Sequence, residues 1–319
     1  MYVTGTDLAA ECEVDGYYVR IAPPETADAA SPATGFVPIK NRPPGESQEP
    51  AAEIVSVDAL ALVRFGLRAA DDPRIVDTVK IIDRLLRVEL PQGALFRRYN
   101  EDGYGEHADG SPFDGTGTGR PWPLLSAERA HYELAAGRSE VAAELAATVA
   151  KSANDDGMLP EQTWDGPDLP DRELWNGYPS GSAMPLVWAH AEYLKLARSV
   201  RDDRVFDMPP QPVRRYQVER TKSQVSIWRF NHKCRQIRDD VALRVETQEP
   251  AIVHWSSDNW TTRAETPTTD TGLGMHSADI KSQNLQAPGG IVFTFQWLDG
   301  ARWEGTDFNV AVVAGREKR

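Results

Sequence analysis

The sequence predicts a multidomain chain in which helical hairpins of a partial α/α toroid are followed by an antiparallel β-sandwich. Three observations lead there. Helix-period apolar stripes recur, paired into hairpins, between residues 51 and 208. Two helix openings, PWPLLSAERAHYELAAG from Pro121 and SAMPLVWAHAEYLKLAR from Ser182, resemble one another at a displacement of roughly 62 residues, and the first hairpin begins about as far upstream. Repeated hairpins with long loops on one side bury their inner stripes only against neighbours, which is how a toroid is written. From Val213 onward the period shortens to that of strands, in short runs between Asn, Asp, Gly and Pro clusters.

In chain order, residues 1–50 are rich in Pro, Gly and Ala without lasting periodicity, and Tyr17, Tyr18, Val19 and Ile21 form the only strand-like run. The expectation is an irregular lead-in, stiffened at Pro23, Pro24, Pro43 and Pro44. A helix starts at Ser56 as N-cap, carries Leu60, Val63 and Leu67 on one face and stops near Asp71; Asp72-Pro73 then supplies a cap and a first-turn proline. The second helix buries Ile75, Val79, Ile82 and Leu86, which closes an antiparallel hairpin. Residues 89–120 read as a Gly-, Asp- and aromatic-rich loop. A second hairpin follows, 123–136 closed by Gly137 and then 139–153, and a further helix spans 182–200 with Leu186, Val187, Ala189, Tyr193 and Leu196 available to the core. Pro209-Pro210-Gln211-Pro212 is the natural boundary, and β-rich runs at 216–230, 241–247, 251–255, 290–297 and 307–313 make up a sandwich over 213–319.

The 319 residues carry a net charge of -13, unevenly distributed. Up to Pro212 there are 20 Lys/Arg against 35 Asp/Glu, and after it 15 against 13. The acidic front repels phosphate backbones, so nucleic acid is not an expected partner, whereas an uncharged polyol is indifferent to that field. Cys12 and Cys234 are far apart, with no Cys or His at metal-ligand spacing, so neither disulfide, metal nor other cofactor is expected. The opening lacks a basic n-region and an apolar h-region, and no run of eighteen apolar residues occurs, so no membrane contact and a cytoplasmic location are expected.

Chemistry concentrates in two loops. Residues 154–165, NDDGMLPEQTWD, place the Glu161 carboxylate beside Pro160, Gln162 and Trp164. A carboxylate activates water, an amide hydrogen-bonds hydroxyls and an indole stacks on a pyranose, functions that glycoside hydrolysis needs together. The plainer reading is a surface loop whose Pro and Asp end a helix and whose Trp fills a gap. The loop from Arg97, RRYNEDGYGEHADGSPFDGTGTGRPWPLL, adds Arg98 for paired hydrogen bonds and Trp122 as a floor for a sugar ring; an Arg-Asp surface pair and a core Trp are the alternatives. The GTGTG glycines lack both the preceding strand and the Lys-Ser/Thr of a phosphate cradle. In the β-rich part, Trp255, Trp260, Trp297 and Trp303 read better as sandwich core than as sugar platforms, and His254, His276 and Asp279 are too loosely spaced for a metal.

The runs RPWPLLSAERAHYELAAG, MLPEQTWD and GSAMPLVWAHAEYLKLARS, in order and at sensible distances, resemble the C-terminal half of the catalytic domain in the bacterial glucoamylase and glucodextranase family, glycoside hydrolase family fifteen. The resemblance implies a partial (α/α)6 toroid, about half of the barrel, and an exo-acting inverting α-glucosidase whose substrate is an α-glucan or oligosaccharide. It implies that Glu161, in a Glu-Gln motif with Gln162, is the general base. The family's Arg-Tyr-x-Glu-Asp substrate loop matches Arg98, Tyr99, Glu101 and Asp102, and its Gly-x-Pro-Trp aromatic falls on Trp122; Trp164 completes the expected substrate set.

One departure stands out. No stretch resembles the Trp-Glu-Glu motif that supplies the family's general acid, and about five helices are expected where the barrel has twelve. Inversion needs two carboxyl groups roughly 6.5 to 9.5 Å apart. Glu106 and Asp114 have no distinguishing neighbours as stand-ins, and Glu101 belongs to the substrate loop. The sequence therefore predicts a base-bearing part of such an enzyme, inert by itself and with apolar stripes for a missing N-terminal half. A carbohydrate binder without turnover is the runner-up, and a helical scaffold for another protein the third reading.

Overall fold

The computed structural model describes residues 1–22, 35–281, 285 and 287–315, and these fall into two compact units, one up to Thr221 and one from Lys222. The expected stiffening at Pro23 and Pro24 lies outside the described residues. No helix among them is long and apolar enough to cross a membrane.

The first unit opens with β1 (Tyr2–Thr4), α1 (Asp7–Glu11) and β2 (Gly16–Tyr18), the two strands antiparallel. A second hairpin joins β3 (Phe36–Pro38) to β4 (Gln48–Pro50). The lead-in is thus not irregular where it is described. Val3, Ala9, Tyr17 and Val19 belong to the helical core, and the Tyr17 hydroxyl donates to the Ala52 carbonyl at 2.7 Å. Composition hid this, because each strand is only three residues long and its partners come from elsewhere in the chain.

A 3-10 turn, Val57–Leu60, runs into α2 (Ala61–Arg64), which stops at Gly66, whose φ of 73° ends the helix well before Asp71 and leaves Leu67 exposed. The next helix starts as its cap predicts: Asp72 accepts from Arg74 N at 3.0 Å and α3 runs Pro73–Leu86, burying Ile75, Val79, Ile82 and Leu86. The hairpin of β5 (Arg87–Leu90) and β6 (Gly93–Phe96) occupies the start of the expected loop. Then come α4 (Pro123–Ala135), α5 (Ser139–Lys151) and α6 (Val187–Arg201). The last begins at Val187 rather than Ser182 for a tertiary reason. Ala183 O accepts from Glu161 N and Leu186 N donates to Leu159 O, so the expected first turn is extended and pairs with the loop.

Helix α4 is buried on nearly every side, including Arg129, His131 and Glu133. Each has a partner: Arg129 binds Asp83 and Glu133, Glu133 binds Arg138, and His131 Nε2 lies 3.2 Å from Ser199 Oγ on α6. Arg64 joins Glu192 of α6 and, at 2.8 Å, Asp207. Pairing is what makes such burial tolerable.

The second unit contains two sheets. The five-stranded one has the order β11-β10-β14-β15-β8 and the four-stranded one β12-β13-β9-β7, with β7 (Val225–Trp228), β8 (Gln236–Arg238), β9 (Ala242–Thr247), β10 (Ala251–Ser256), β11 (Ala264–Pro267), β12 (Thr269–Asp270), β13 (His276–Ile280), β14 (Gly289–Trp297) and β15 (Phe308–Val313). Both share one apolar core, in which Trp228 lies 5.0 Å from the Phe293 ring and 4.7 Å from Phe308. The pairing is not wholly antiparallel: β7 runs parallel to β9, and β8 to β15. The expected strand 216–230 is reduced to β7, since 213–218 are helical.

Glu128, on α4, generates a pH prediction. Burial, and then the charge of Glu192, push its carboxyl up to about 7, with Arg64 and Lys195 opposing and Asp58 adding. The folded state keeps a proton that the unfolded chain releases near 4.5, so this group's contribution is full below that value and is lost as pH rises toward 7. Glu128→Gln is expected to raise unfolding free energy at pH 8 by on the order of 2 kcal/mol and to flatten its decline from pH 5, by urea titration. Equal stability of parent and variant at pH 8 would contradict this.

Candidate active site

Two irregular segments build the site, 97–121 between β6 and α4 and 152–186 between α5 and α6. They lack a continuous ladder, so their buried backbone groups are satisfied partly by scattered main-chain bonds, such as Thr163 N to Pro121 O at 2.9 Å and Trp164 N to Tyr178 O at 2.8 Å, and partly by side chains. Gln162 joins the two segments. Its Nε2 donates to Tyr104 O at 3.0 Å, its Oε1 accepts from Arg120 N at 3.0 Å, its main-chain N donates to Ser182 Oγ at 2.9 Å and its carbonyl accepts from Ser180 N at 3.0 Å. Asp165 adds a second clasp, accepting from Arg97 and, at 2.8 Å, from Arg120 Nη1. With its neighbour fixed and its own N–H on Ala183 O at 2.8 Å, Glu161 has a determined position.

The Glu161 side chain is half-buried and accepts from the Tyr104 hydroxyl at 3.1 Å. Burial pushes its carboxyl above the ordinary value; the Tyr104 hydrogen bond and the Arg98 charge oppose this, and the Glu106 charge adds to it. Arg98 is gripped by both oxygens of Asp102, at 2.8 and 2.9 Å. Although burial works against its charge, Asp102 holds the guanidinium above its usual pKa. Three aromatic rings surround it, Tyr99 at 5.1 Å, Tyr104 at 5.2 Å and Trp122 at 5.4 Å from the guanidinium carbon. The buried Trp122 indole N–H has no acceptor among the described residues.

Of the residues singled out in the sequence, the structure gathers Glu161, Arg98 and Trp122. Trp164, Gln162 and Glu101 are engaged elsewhere, and Tyr99 touches the site only as a ring beside Arg98. Trp164 is 0% exposed, donates to Pro167 O at 2.7 Å and lies under the Arg120 guanidinium at 4.1 Å, so its faces are occupied and no sugar can stack on it. Gln162 spends its amide on Tyr104 and Arg120. Tyr99 packs with Val37, Ile39, Ala51 and Ile54. Glu101, at φ 62°, turns to Arg42, 2.6 Å away. Tyr104, which holds the carboxylate, carries no signal of its own in the sequence, and Asp102, which grips the guanidinium, stands there only as the last member of the matched Arg-Tyr-x-Glu-Asp loop. A half-buried carboxylate, a clamped cation and an indole N–H together can order a water and hold hydroxyls.

The sequence profile of the glycosyl hydrolases family 15 matches residues 13–198. A glucoamylase of Clostridium sp. (strain G0005) is 39% identical over 202 residues, which cover 63% of this chain and 26% of that protein. The crystal structure of a bacterial glucoamylase complexed with acarbose is similar at a TM-score of 0.55 and 39% identity, over 63% of this chain and 27% of that one. The chain thus spans about a quarter of the length of these two relatives.

Tyr104→Phe removes the hydroxyl that favours the charged form of Glu161. The expected outcome is a higher titration midpoint for the Glu161 carboxyl, read by carbon NMR and assigned by its disappearance in Glu161→Gln. An unchanged or lower midpoint would show that the hydrogen bond does not act on this carboxylate.

Proposed function

Because the chain belongs to the glycosyl hydrolases family 15, we propose that it contributes the base-bearing part of an exo-acting, inverting α-glucosidase of the glucoamylase class. Glu161 activates the attacking water, Arg98 holds hydroxyls of the terminal glucose, and Trp122 supports its ring. The observation that carries this reading is the convergence of Glu161, Tyr104, Arg98 and Trp122 on one place, with the carboxylate half-buried rather than packed in hydrocarbon. A base needs room for water and a partner that keeps it ionised, and Arg98 is such a partner. One bacterial relative was solved with acarbose, and an oligosaccharide is the ligand we carry to this chain.

In this reading residues 51–208 are part of an (α/α)6 toroid, about half of the barrel, and the second unit, which begins at Lys222 rather than at the expected 213, forms a β-sandwich domain. The general acid is not supplied by this sequence, which has no Trp-Glu-Glu stretch. That lack leaves the chain alone able to bind carbohydrate but not to cleave a glycoside whose leaving group needs a proton. The partner is an acid-bearing helical half. In support, α6 turns Val187, Trp188 and Leu194 outward at 79%, 57% and 69% exposure, an apolar stripe that solvent does not favour.

Glucose release from maltose by this chain alone is expected at the buffer rate. Adding a helical half that carries a Trp-Glu-Glu loop is expected to restore it, and Glu161→Gln in that complex to lower kcat by about 10²- to 10⁴-fold. A robust rate from the isolated chain would show that the acid is present after all.

A further inference from the structure

The short segment that ends at Glu161 is tied to the start of α6 by main-chain bonds and by one imidazole. Glu161 N donates to Ala183 O at 2.8 Å, and Leu186 N donates to Leu159 O at 2.9 Å. A hydrogen-bonded pair in an antiparallel ladder exchanges two such bonds. The Leu186 carbonyl, which would return the second, accepts instead from His190 N at 3.2 Å, in the first turn of α6. Leu159 is 2% exposed, so its N–H must find a partner inside the protein. The His190 ring supplies it, with Nε2 3.0 Å from Leu159 N.

That contact decides the chemistry of the ring. A backbone N–H only donates, so Nε2 carries the lone pair and the proton of the neutral imidazole is on Nδ1. His190 thus serves both partners at once, its main-chain N–H on Leu186 O and its ring nitrogen on Leu159 N–H. The mount is firm, since the adjoining Ala189 is 0% exposed and α6 runs on for eleven residues past His190, to Arg201. Between Leu159 and Glu161 stands Pro160 alone, whose ring locks one of the soft dihedrals that separate them. A shift of Leu159 is therefore passed on to the carboxylate with little slack. Arg98 and Trp122, by contrast, come from the chain before α4.

We propose that His190 is a positioning residue for the general base: its neutral Nε2 holds Leu159 N–H and so sets the place of the Glu161 carboxylate, without touching the sugar. The proposal rests on the glycosidase reading and deepens it, since it adds to Glu161 a residue that acts on catalysis only through the backbone.

Fluoride release from α-glucosyl fluoride by the full chain, a reaction that needs the base and no acid, tests it beside amide hydrogen exchange at Leu159. His190→Leu keeps the bulk and removes the acceptor. It is expected to lower kcat about tenfold or more with KM within about twofold, because a small misplacement of a reacting group is expensive, and to speed exchange at Leu159 about tenfold or more. His190→Gln, whose Oε1 can accept in place of Nε2, is expected to bring both back to within about threefold of the parent. A ring that merely filled space would give the reverse order, with leucine the better tolerated. Nitrogen NMR of the parent's neutral imidazole is expected to show Nε2 without a proton, and it decides the question if His190→Leu does not fold. A kcat for His190→Leu within about twofold of the parent, a glutamine variant no better than the leucine one, or a ring protonated on Nε2 overturns the positioning role alone. A parent that releases no fluoride overturns the glycosidase reading and this role together.

Discussion

The side-chain amide of Gln162 is the contact on which the site depends. Two segments without regular structure meet there, and a planar group with two donors and an acceptor satisfies the backbone of one while its own main chain is satisfied by the other. Glu161, the next residue along, inherits its position from that fastening. The carboxylate itself needs no stiff packing of its own, which leaves it half-buried and able to meet water. The Arg98-Asp102 pair works in the same manner for the cation. Preorganised groups of this kind do not have to reorganise when a ligand arrives.

The helices beneath are organised differently. Helix α4 is buried with Arg129, His131 and Glu133 along it: Arg129 is answered by Asp83 of α3 and His131 by Ser199 of α6, while Glu133 is held by Arg129 of the same helix and by Arg138 just beyond it. Such pairs contribute little net stability against a well-packed apolar core, but breaking one partner is costly, so they penalise any shift in how α4 meets its neighbours. Helix α6 buries Ala189, Glu192, Leu196 and Ser199 against this set and turns Val187, Trp188 and Leu194 to solvent alongside Lys195 and Arg198, so its outer face is partly apolar. The loops are therefore mounted on a well-determined base, while one outer face remains uncovered by this chain.

Much of the helical layout was legible in the sequence because it is written locally. The Asp72-Pro73 start of α3 and its stripe of Ile75, Val79, Ile82 and Leu86 lie within one helix's length, and Gly137, at φ 75°, marks the turn between α4 and α5. What failed depends for the most part on distant partners, the early stop of α2 before Gly66 being a local exception. The late start of α6 reflects bonds from Ala183 and Leu186 to Glu161 and Leu159, more than twenty residues away. Gln162 and Trp164 have the residue types of sugar contacts, and only their partners Tyr104, Arg120 and Pro167 reveal that they fasten and fill.

A base without an acid has a specific chemical signature. α-Glucosyl fluoride releases a leaving group that needs no protonation, so only an activated water on the opposite face is required to hydrolyse it with inversion. The decisive measurement is fluoride release by this chain, with the anomer of the freed glucose read by proton NMR. The account predicts release above buffer, β-glucose as the first product, and loss of both in Glu161→Gln. No release from the parent, or a rate that survives that substitution, would contradict it.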